Sequence, residues 1–485
     1  MSRLSGSEIA SMGRQLSTPF HISILKNNKA IDFRVDSILR IVPGRRFVAV
    51  GTWQEKTVIL KLFFDQKSWK TNIFRDVDGI RHLKEAGIPT AELVLQTTTE
   101  DSVAGALLFE YLETGEGLSS LFEHAEDDRE QDDILHRAIT SIASCHRAGL
   151  WQADIHLDNF MLYQDTVHVI DGGDIKFSEG SLNAEVCLNN MALFLAQLAV
   201  RFDQKSAEYL QLYYRHMPEL RVEGSQKFQE RITAARINRL DNYEKKLFRS
   251  TTAHCCERID GKFVVYDRSI ESDGLQKFII DPDSFIVEER LMKKGNSSTL
   301  ALVEIGDSKY VLKRYNMKGF WHRISRSLRP SRAHHSWRNA LILKMLGIET
   351  PMPYLFMEKR ILGVFRSTAY YLSEWVDHEN FGEEIDADTI SDDRFELAVD
   401  LFRQMFSILS TYRISHGDTK ASNFIIRDGE IVVLDLDSMK RHGAGKNFEE
   451  KRSKDLGRFR RNWNSSRMQK RADEAIIALE REFTG

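Results

Sequence analysis

Cysteine is scarce in this chain: four residues among 485 (Cys145, Cys187, Cys255 and Cys256) and no C-x-x-C pair. Two of them are adjacent, a poor basis for a disulfide framework, so a reducing compartment is expected. Neither sign of charge is in large excess: 68 basic against 71 acidic residues leave a net −3. A global basic field is therefore missing, and no nucleic-acid partner is expected. Long hydrophobic runs are missing too. The opening MSRLSGSEIASMGRQLSTPF holds no apolar core of signal-peptide length. The longest apolar stretch near the middle, MALFLAQLAV (191–200), is about half a membrane span and reads as a buried helix. These absences predict a cytoplasmic protein that could still touch a membrane surface. What remains is an ordinary globular mixture, 42% hydrophobic and 29% charged. It excludes a collagen-like, wholly disordered or disulfide-stapled chain. At about 150 residues per domain, two to four domains are expected.

An internal repeat organises the mixture. QADIHLDNFMLYQDTVHVID (152–171) parallels HGDTKASNFIIRDGEIVVLD (416–435). Asp154 pairs with Asp418, Asn159 with Asn423, Phe160 with Phe424 and Asp171 with Asp435, each pair 264 residues apart. Upstream, VILKLFF (58–64) parallels YVLKRYN (310–316), matching Lys61 with Lys313. PGRRFVAVG (43–51) and KGNSSTLALV (294–303) match Gly44 with Gly295. FRDVDGIRHLKEAGIPT (74–90) parallels WRNALILKMLGIETP (337–351). Acidic runs at 123–133 and 377–388 occupy equivalent places and read as solvated linkers or helix faces without chemistry. Each copy predicts a glycine turn between β-rich segments, a strand ending in lysine, a helix, an apolar strand, helices, a loop rich in Asp and Asn, and a short apolar strand capped by Asp. The boundary is placed near 270, giving domains 1–270 and 271–485.

The spacings carry a chemistry. Asp and Asn five apart form the D-x-x-x-x-N of a phosphotransferase loop. Phosphoryl transfer from ATP asks chiefly for positioning and charge neutralisation. Asp154 and Asp418 suit the carboxylate that orients the attacking hydroxyl and accepts its proton. Asn159 with Asp171, and Asn423 with Asp435, suit Mg²⁺ held on the phosphates. Lys61 and Lys313 suit the grip on the α/β-phosphates, and Gly44 and Gly295 a close backbone approach. Each fragment alone is commonplace: a lone D-x-x-x-x-N arises often by chance, and an apolar run ending in Asp is usually a strand meeting a turn. The ordered set, found twice, favours a kinase-type fold. Neither turn is a full G-x-G-x-x-G, and His156 reads as loop structure rather than a metal ligand.

At these residues the chain resembles the protein-kinase-like superfamily and, within it, the bacterial lipopolysaccharide kinases that phosphorylate inner-core heptose or Kdo sugars. AGLWQADIHLDNFML and SHGDTKASNFII look like their catalytic loops, and SRAHHSWRNALILKMLGIETPMP like their lysine-to-helix region. The resemblance implies an α+β chain of two tandem protein-kinase-like bilobal domains, each with a β-rich N-lobe carrying one helix and a mainly helical C-lobe. It implies ATP with Mg²⁺ as donor. It also implies a sugar hydroxyl of an anionic glycolipid or core oligosaccharide as acceptor, met at the cytosolic face of the inner membrane. In kinases an acid on the helix after the strand holds the lysine. Asp76 occupies that place in the first copy and Asn339 in the second, so Lys313 is expected to be held less firmly. His416 opens the second loop as in kinases, whereas the first has Gln152. The balance tips slightly towards an active first copy. The stretch 312–344 holds nine Lys or Arg residues, no acid, and interleaved Phe320, Trp321, Ile324 and Leu328. It reads either as a solvated helix face or as a cationic surface for anionic lipid. Two further readings stay open: one or both copies as a pseudokinase scaffold or regulator, and a kinase of a protein or small-molecule acceptor. The lack of an A-P-E segment after Asp171 or Asp435 lowers the protein option.

Overall fold

The structure, a computed structural model, describes residues 2–65, 67–295, 297–316, 329–361, 365–386, 390–443, 446–463 and 468–484. The centre of the basic stretch, 317–328, lies outside the described residues. Two compact units divide the chain: Met1–Leu198 with Phe202–Arg236, and Ala199–Arg201 with Ile237–Gly485.

In the first unit, strands β1 (Arg3–Leu4), β2 (Phe20–Lys26), β3 (Lys29–Val42), β4 (Arg46–Trp53), β5 (Lys56–Phe63), β6 (Leu93–Thr98) and β7 (Gly105–Glu110) form one sheet in the order β1-β2-β3-β4-β5-β7-β6. Alternation along β5 sends Val58, Leu60 and Leu62 into a core with Phe33, Phe47 and Leu108. Lys61 therefore points to the other face, where it meets the helix Trp69–Glu85. That helix buries Ile73, Asp76, Ile80 and Leu83, a stripe at helical spacing. The first acidic run supplies a cap: the Asp127 carboxylate accepts from the N–H groups of Arg129 and Glu130 at the start of the helix Asp128–Arg147. Beyond it, β8 (Glu116–Gly117), β10 (Phe160–Tyr163) and β11 (Thr166–Val169) form a small sheet, and β9 (Leu150–Gln152) pairs with β12 (Ile175–Phe177). Within MALFLAQLAV, Met191, Ala192, Phe194 and Leu195 are buried, and the helix Ala184–Leu195 ends there.

The second unit opens with β13 (His254–Ile259) and β14 (Lys262–Asp267), followed by β15 (Leu291–Lys294), β16 (Ser298–Ile305), β17 (Ser308–Tyr315), β18 (Pro353–Ile361) and β19 (Phe365–Glu374). Their order is β13-β14-β18-β19-β17-β16-β15. Five strands repeat between the units: β3-β4-β5-β7-β6 runs as β15-β16-β17-β19-β18. Lys61 lies opposite Val48 and Leu107, and Lys313 opposite Leu300 and Tyr371. The extra strands attach at opposite edges, β2 beside β3 but β14 beside β18. The pairing of β14 with β18 buries Val264 and Val265, so residues ahead of 270 belong to the second sheet, and the division falls at 236/237. Helices Arg332–Leu346, Asp392–Thr411, Lys446–Arg461 and Gln469–Thr484 complete this unit around an aromatic core of Phe402, Phe406, Phe424, Phe459 and Trp463. Among the described residues no helix is long and apolar enough to cross a membrane.

Candidate active site

Both D-x-x-x-x-N loops are tied in the same way. Asn159 Nδ2 donates to the Asp154 carbonyl at 2.8 Å, and Asn423 Nδ2 to the Asp418 carbonyl at 2.8 Å. Ile170 N donates to the Asn159 carbonyl at 3.0 Å, and Leu434 N to that of Asn423 at 2.8 Å. Two threonines that sequence reasoning missed complete the pattern. The Thr90 hydroxyl donates to the Val169 carbonyl at 2.6 Å, and that of Thr350 to Val433 at 2.7 Å. These bonds pin the strand that delivers each aspartate against the segment leaving the helix. Their signal was present, since both threonines close a Gly-Ile-x-Thr run.

In the first unit Lys61 Nζ donates to Asp76 Oδ2 at 3.2 Å and lies 3.7 Å from Asp171 Oδ1. Asp76 is fully buried and its Oδ1 has no hydrogen-bond partner. Burial pushes this carboxyl above the usual carboxylate range, against the pull of Lys61. Burial works upward on Asp171 as well, but Lys61 and Arg46 outweigh it and hold Asp171 below that range. Two glycines set this geometry. A Cβ on Gly79 would stand 2.1 Å from the Gly172 carbonyl oxygen, and one on Gly172 would stand 2.2 Å from that of Asp76. The helix and the segment after Asp171 thus touch backbone to backbone. Gln152, at the histidine position, is buried; its Oε1 accepts from Asn159 Nδ2 at 3.1 Å and its carbonyl from Asn190 at 2.7 Å. Asp154 is exposed.

The second unit arranges its lysine differently. Lys313 Nζ donates to Asp435 Oδ1 at 2.6 Å and to Asp437 Oδ2 at 3.0 Å, and Arg332 reaches the same Asp437 oxygen at 2.7 Å. Burial opposes ionisation of Asp437, yet Lys313 and Arg332 hold it down at about 2. The expectation that Lys313 is loosely held is therefore overturned, because the acid missing from the helix stands in the loop. Asn339, fully buried, donates instead to the Leu436 and Met439 carbonyls, both at 2.8 Å. Asp435 adopts φ +53°, a left-handed conformation for a non-glycine residue. His416 holds the loop with neutral-imidazole bonding, accepting from Asp418 N at 3.3 Å and donating to the Leu434 carbonyl at 3.2 Å. Asp455, also missed from sequence, accepts from the N–H groups of His416 and Gly417 at 2.7 and 2.9 Å. Asp418 carries ion pairs to Arg458 at 2.7 Å and Lys420 at 3.2 Å.

Lys313, Asn423 and Asp435 line one cleft of about 1160 Å³. Part of the second acidic run, expected to carry no chemistry, lines it too through Asp377, Glu383 and Glu384. The two glycine positions are not alike. Gly44 needs its φ of +65° for the turn between β3 and β4, whereas Gly295 keeps an ordinary φ and donates its N–H to the Ser298 carbonyl at 3.1 Å. Among the described cations of the basic stretch, Arg314 pairs with Asp283 at 2.8 Å, Arg332 with Asp437 and Lys344 with Glu349 at 3.5 Å, while Arg329 is exposed.

Residues 286–479 match the lipopolysaccharide kinase (Kdo/WaaP) family, a family of kinases. The matched segment takes in Gly295, Lys313, Asp418, Asn423 and Asp435, and stops short of the first unit. No curated protein matches the chain. Among solved structures, WaaP in complex with acyl carrier protein is similar at 17% identity and a TM-score of 0.30, over 40% of this chain and 86% of that one. A rhoptry kinase from Toxoplasma gondii is similar at 11% identity and a TM-score of 0.27, over 37% of this chain and 57% of that one.

Proposed function

We propose that the second unit transfers a phosphoryl group from ATP to a sugar hydroxyl of lipopolysaccharide core, of heptose or Kdo type, at the cytosolic face of the inner membrane. The observation that carries this reading is the convergence of Lys313, Asn423 and Asp435 on one cleft inside the matched kinase segment. Asp418 orients the acceptor hydroxyl and takes its proton. Lys313 grips the phosphates. Asn423 has its Nδ2 committed to the loop, which leaves Oδ1 as its acceptor; with the Asp435 carboxylate it offers the hard oxygen pair that suits Mg²⁺. Among the described residues no group of three or more His, Cys, Asp or Glu could hold a metal ion by itself. The cation would therefore arrive on the nucleotide's phosphates, where it neutralises their charge. The left-handed strain at Asp435 fits a residue held for function rather than stability. The five repeated strands and the repeated loop bonds support reading the first unit as a tandem copy of the same bilobal fold. The basic stretch 312–344 remains the candidate for contact with a lipid surface.

The test is transfer of labelled phosphate from Mg²⁺–ATP to core oligosaccharide by the full-length protein. Asp418→Asn and Lys313→Met are expected to reduce turnover by at least a hundredfold while Asp154→Asn leaves most of it. An inert wild type, or an undiminished Asp418→Asn, ends the reading.

A further inference from the structure

Arg46 stands at the start of β4, two residues after Gly44. Its Nη1 lies 3.8 Å from Asp171 Oδ2, while Lys61 Nζ lies 3.7 Å from Asp171 Oδ1. Each carboxylate oxygen thus faces a cation. The guanidinium also sits 5.0 Å over the Phe63 ring, which fixes its place. In the second unit the equivalent position is identifiable by register. Arg46 lies opposite Phe63 where β4 meets β5, and Ser298 lies opposite Tyr315 where β16 meets β17. Ser298 lines the second cleft and brings no charge. Asp435 takes the left-handed conformation, which Asp171 does not share.

We propose that the first unit is a nucleoside-triphosphate site that works without a divalent cation, Arg46 and Lys61 supplying beside Asp171 the positive charge that Mg²⁺ supplies in the second unit. This rests on the nucleotide reading of the repeated constellation. A metal ion entering at Asp171 would meet a cation on each carboxylate oxygen, Lys61 at 3.7 Å and Arg46 at 3.8 Å, whereas Lys313 faces Oδ1 of Asp435; Coulomb repulsion opposes the metal more at the first site. A triphosphate entering there meets a planar five-donor group and an ammonium already desolvated in part, the pairing that arginine makes bidentately with phosphate. Such a site retains its nucleotide without the metal that phosphoryl transfer uses. It makes the first unit a nucleotide-binding module rather than a second catalytic centre.

Equilibrium dialysis of radiolabelled ATP against the full-length protein tests this. Two equivalents are expected to bind with Mg²⁺ and one to persist in EDTA. The EDTA-resistant equivalent is expected to weaken at least tenfold in Arg46→Ala, to survive in Arg46→Lys, and to become Mg²⁺-dependent in Arg46→Ser. Thermal melting confirms that each variant is folded. No binding in EDTA, or EDTA-resistant binding undiminished in a folded Arg46→Ala, overturns the proposal. The Mg²⁺-dependent equivalent, which Lys313→Ala should abolish, reports separately on the kinase reading of the second unit.

Discussion

Asp437 shows how a single residue can reverse an inference drawn from an alignment. Setting Asp76 against Asn339 correctly finds two side chains at the same point on equivalent helices, both fully buried. It does not show that the second copy moves its acid two residues past Asp435, to a place where the first copy has Gly173. Restoring the missing carboxylate should therefore do harm. In Asn339→Asp the donor to the Leu436 and Met439 carbonyls becomes an acceptor facing acceptors at hydrogen-bond distance. A loss of about 2 kcal/mol or more is expected in chemical denaturation, with no gain in activity. Asp437→Asn removes the charge shared by Lys313 and Arg332; Asp437 is buried at 2% exposure and Lys313 nearly so, with Arg332 on the open side. A cost of about 3 kcal/mol is expected, because two cations are then left around a neutral amide. If Asn339→Asp instead stabilises the protein or raises its turnover, the relocated acid is not what holds Lys313.

At the scale of elements, the helix Trp69–Glu85 meets the loop after Asp171 through Gly79 and Gly172. Glycine in the middle of a helix normally costs about 1 kcal/mol relative to alanine, so an exposed Gly→Ala would stabilise. Here the sign should invert. A methyl group on Gly79 meets a backbone oxygen that cannot rotate away, and Gly79→Ala is expected to lower stability by several kcal/mol, visible as a fall in the first unit's melting temperature. It should also weaken the nucleotide binding proposed at Lys61, since Asp76 and Asp171 are parted by the same displacement. The order of elements in each half was legible because VILKLFF (58–64) matches YVLKRYN (310–316) and the two D-x-x-x-x-N loops recur in the same order. The closeness of Gly79 and Gly172 was not, because it joins segments from opposite ends of the copy and leaves no local pattern. The placement of β14 was hidden for a related reason: a repeat reveals what two copies share, whereas extra strands at opposite sheet edges are what they do not. A fragment beginning at 271 would lose β13 and β14, exposing the edge of β18 and stripping Val264, Val265 and Tyr266 from the core. At about 1.5–3 kcal/mol per buried apolar side chain, that fragment is expected to be unstable beside one beginning at 237. Equal melting temperatures for the two fragments would contradict the division at 236/237.

For the whole molecule, buried histidines are expected to contribute to the response to acid. In the first unit His146 is 1% exposed, and burial lowers its pKa to about 4. Its bonding suits the neutral ring: Nε2 is 3.0 Å from Asn190 Oδ1 and Nδ1 is 2.8 Å from the Tyr213 hydroxyl, while Asn190 in turn donates to the Gln152 carbonyl. Protonating Nδ1 would place a donor where the Tyr213 hydroxyl now donates, so the penalty reaches the base of the D-x-x-x-x-N loop. In the second unit burial lowers His334 to about 3, with neighbouring cations adding to the effect. An unfolded histidine takes up its proton near pH 6.5, so between that value and the folded pKa the unfolded chain binds a proton that the native chain refuses. Stability from these groups is whole above pH 6.5 and falls as the pH drops towards 4, by about 3 kcal/mol for His146 alone. All four cysteines are free, so a reductant should leave the melting profile unchanged while acid shifts it. Because the two histidines lie in different compact units, melting between pH 7.5 and 4.5 should show each unit losing stability in its own right. His146→Gln, which cannot charge, lowers the starting stability of the first unit and flattens only that unit's slope. An unchanged slope in that variant would move the acid sensitivity to other groups and leave the His146–Asn190–Gln152 chain as packing alone.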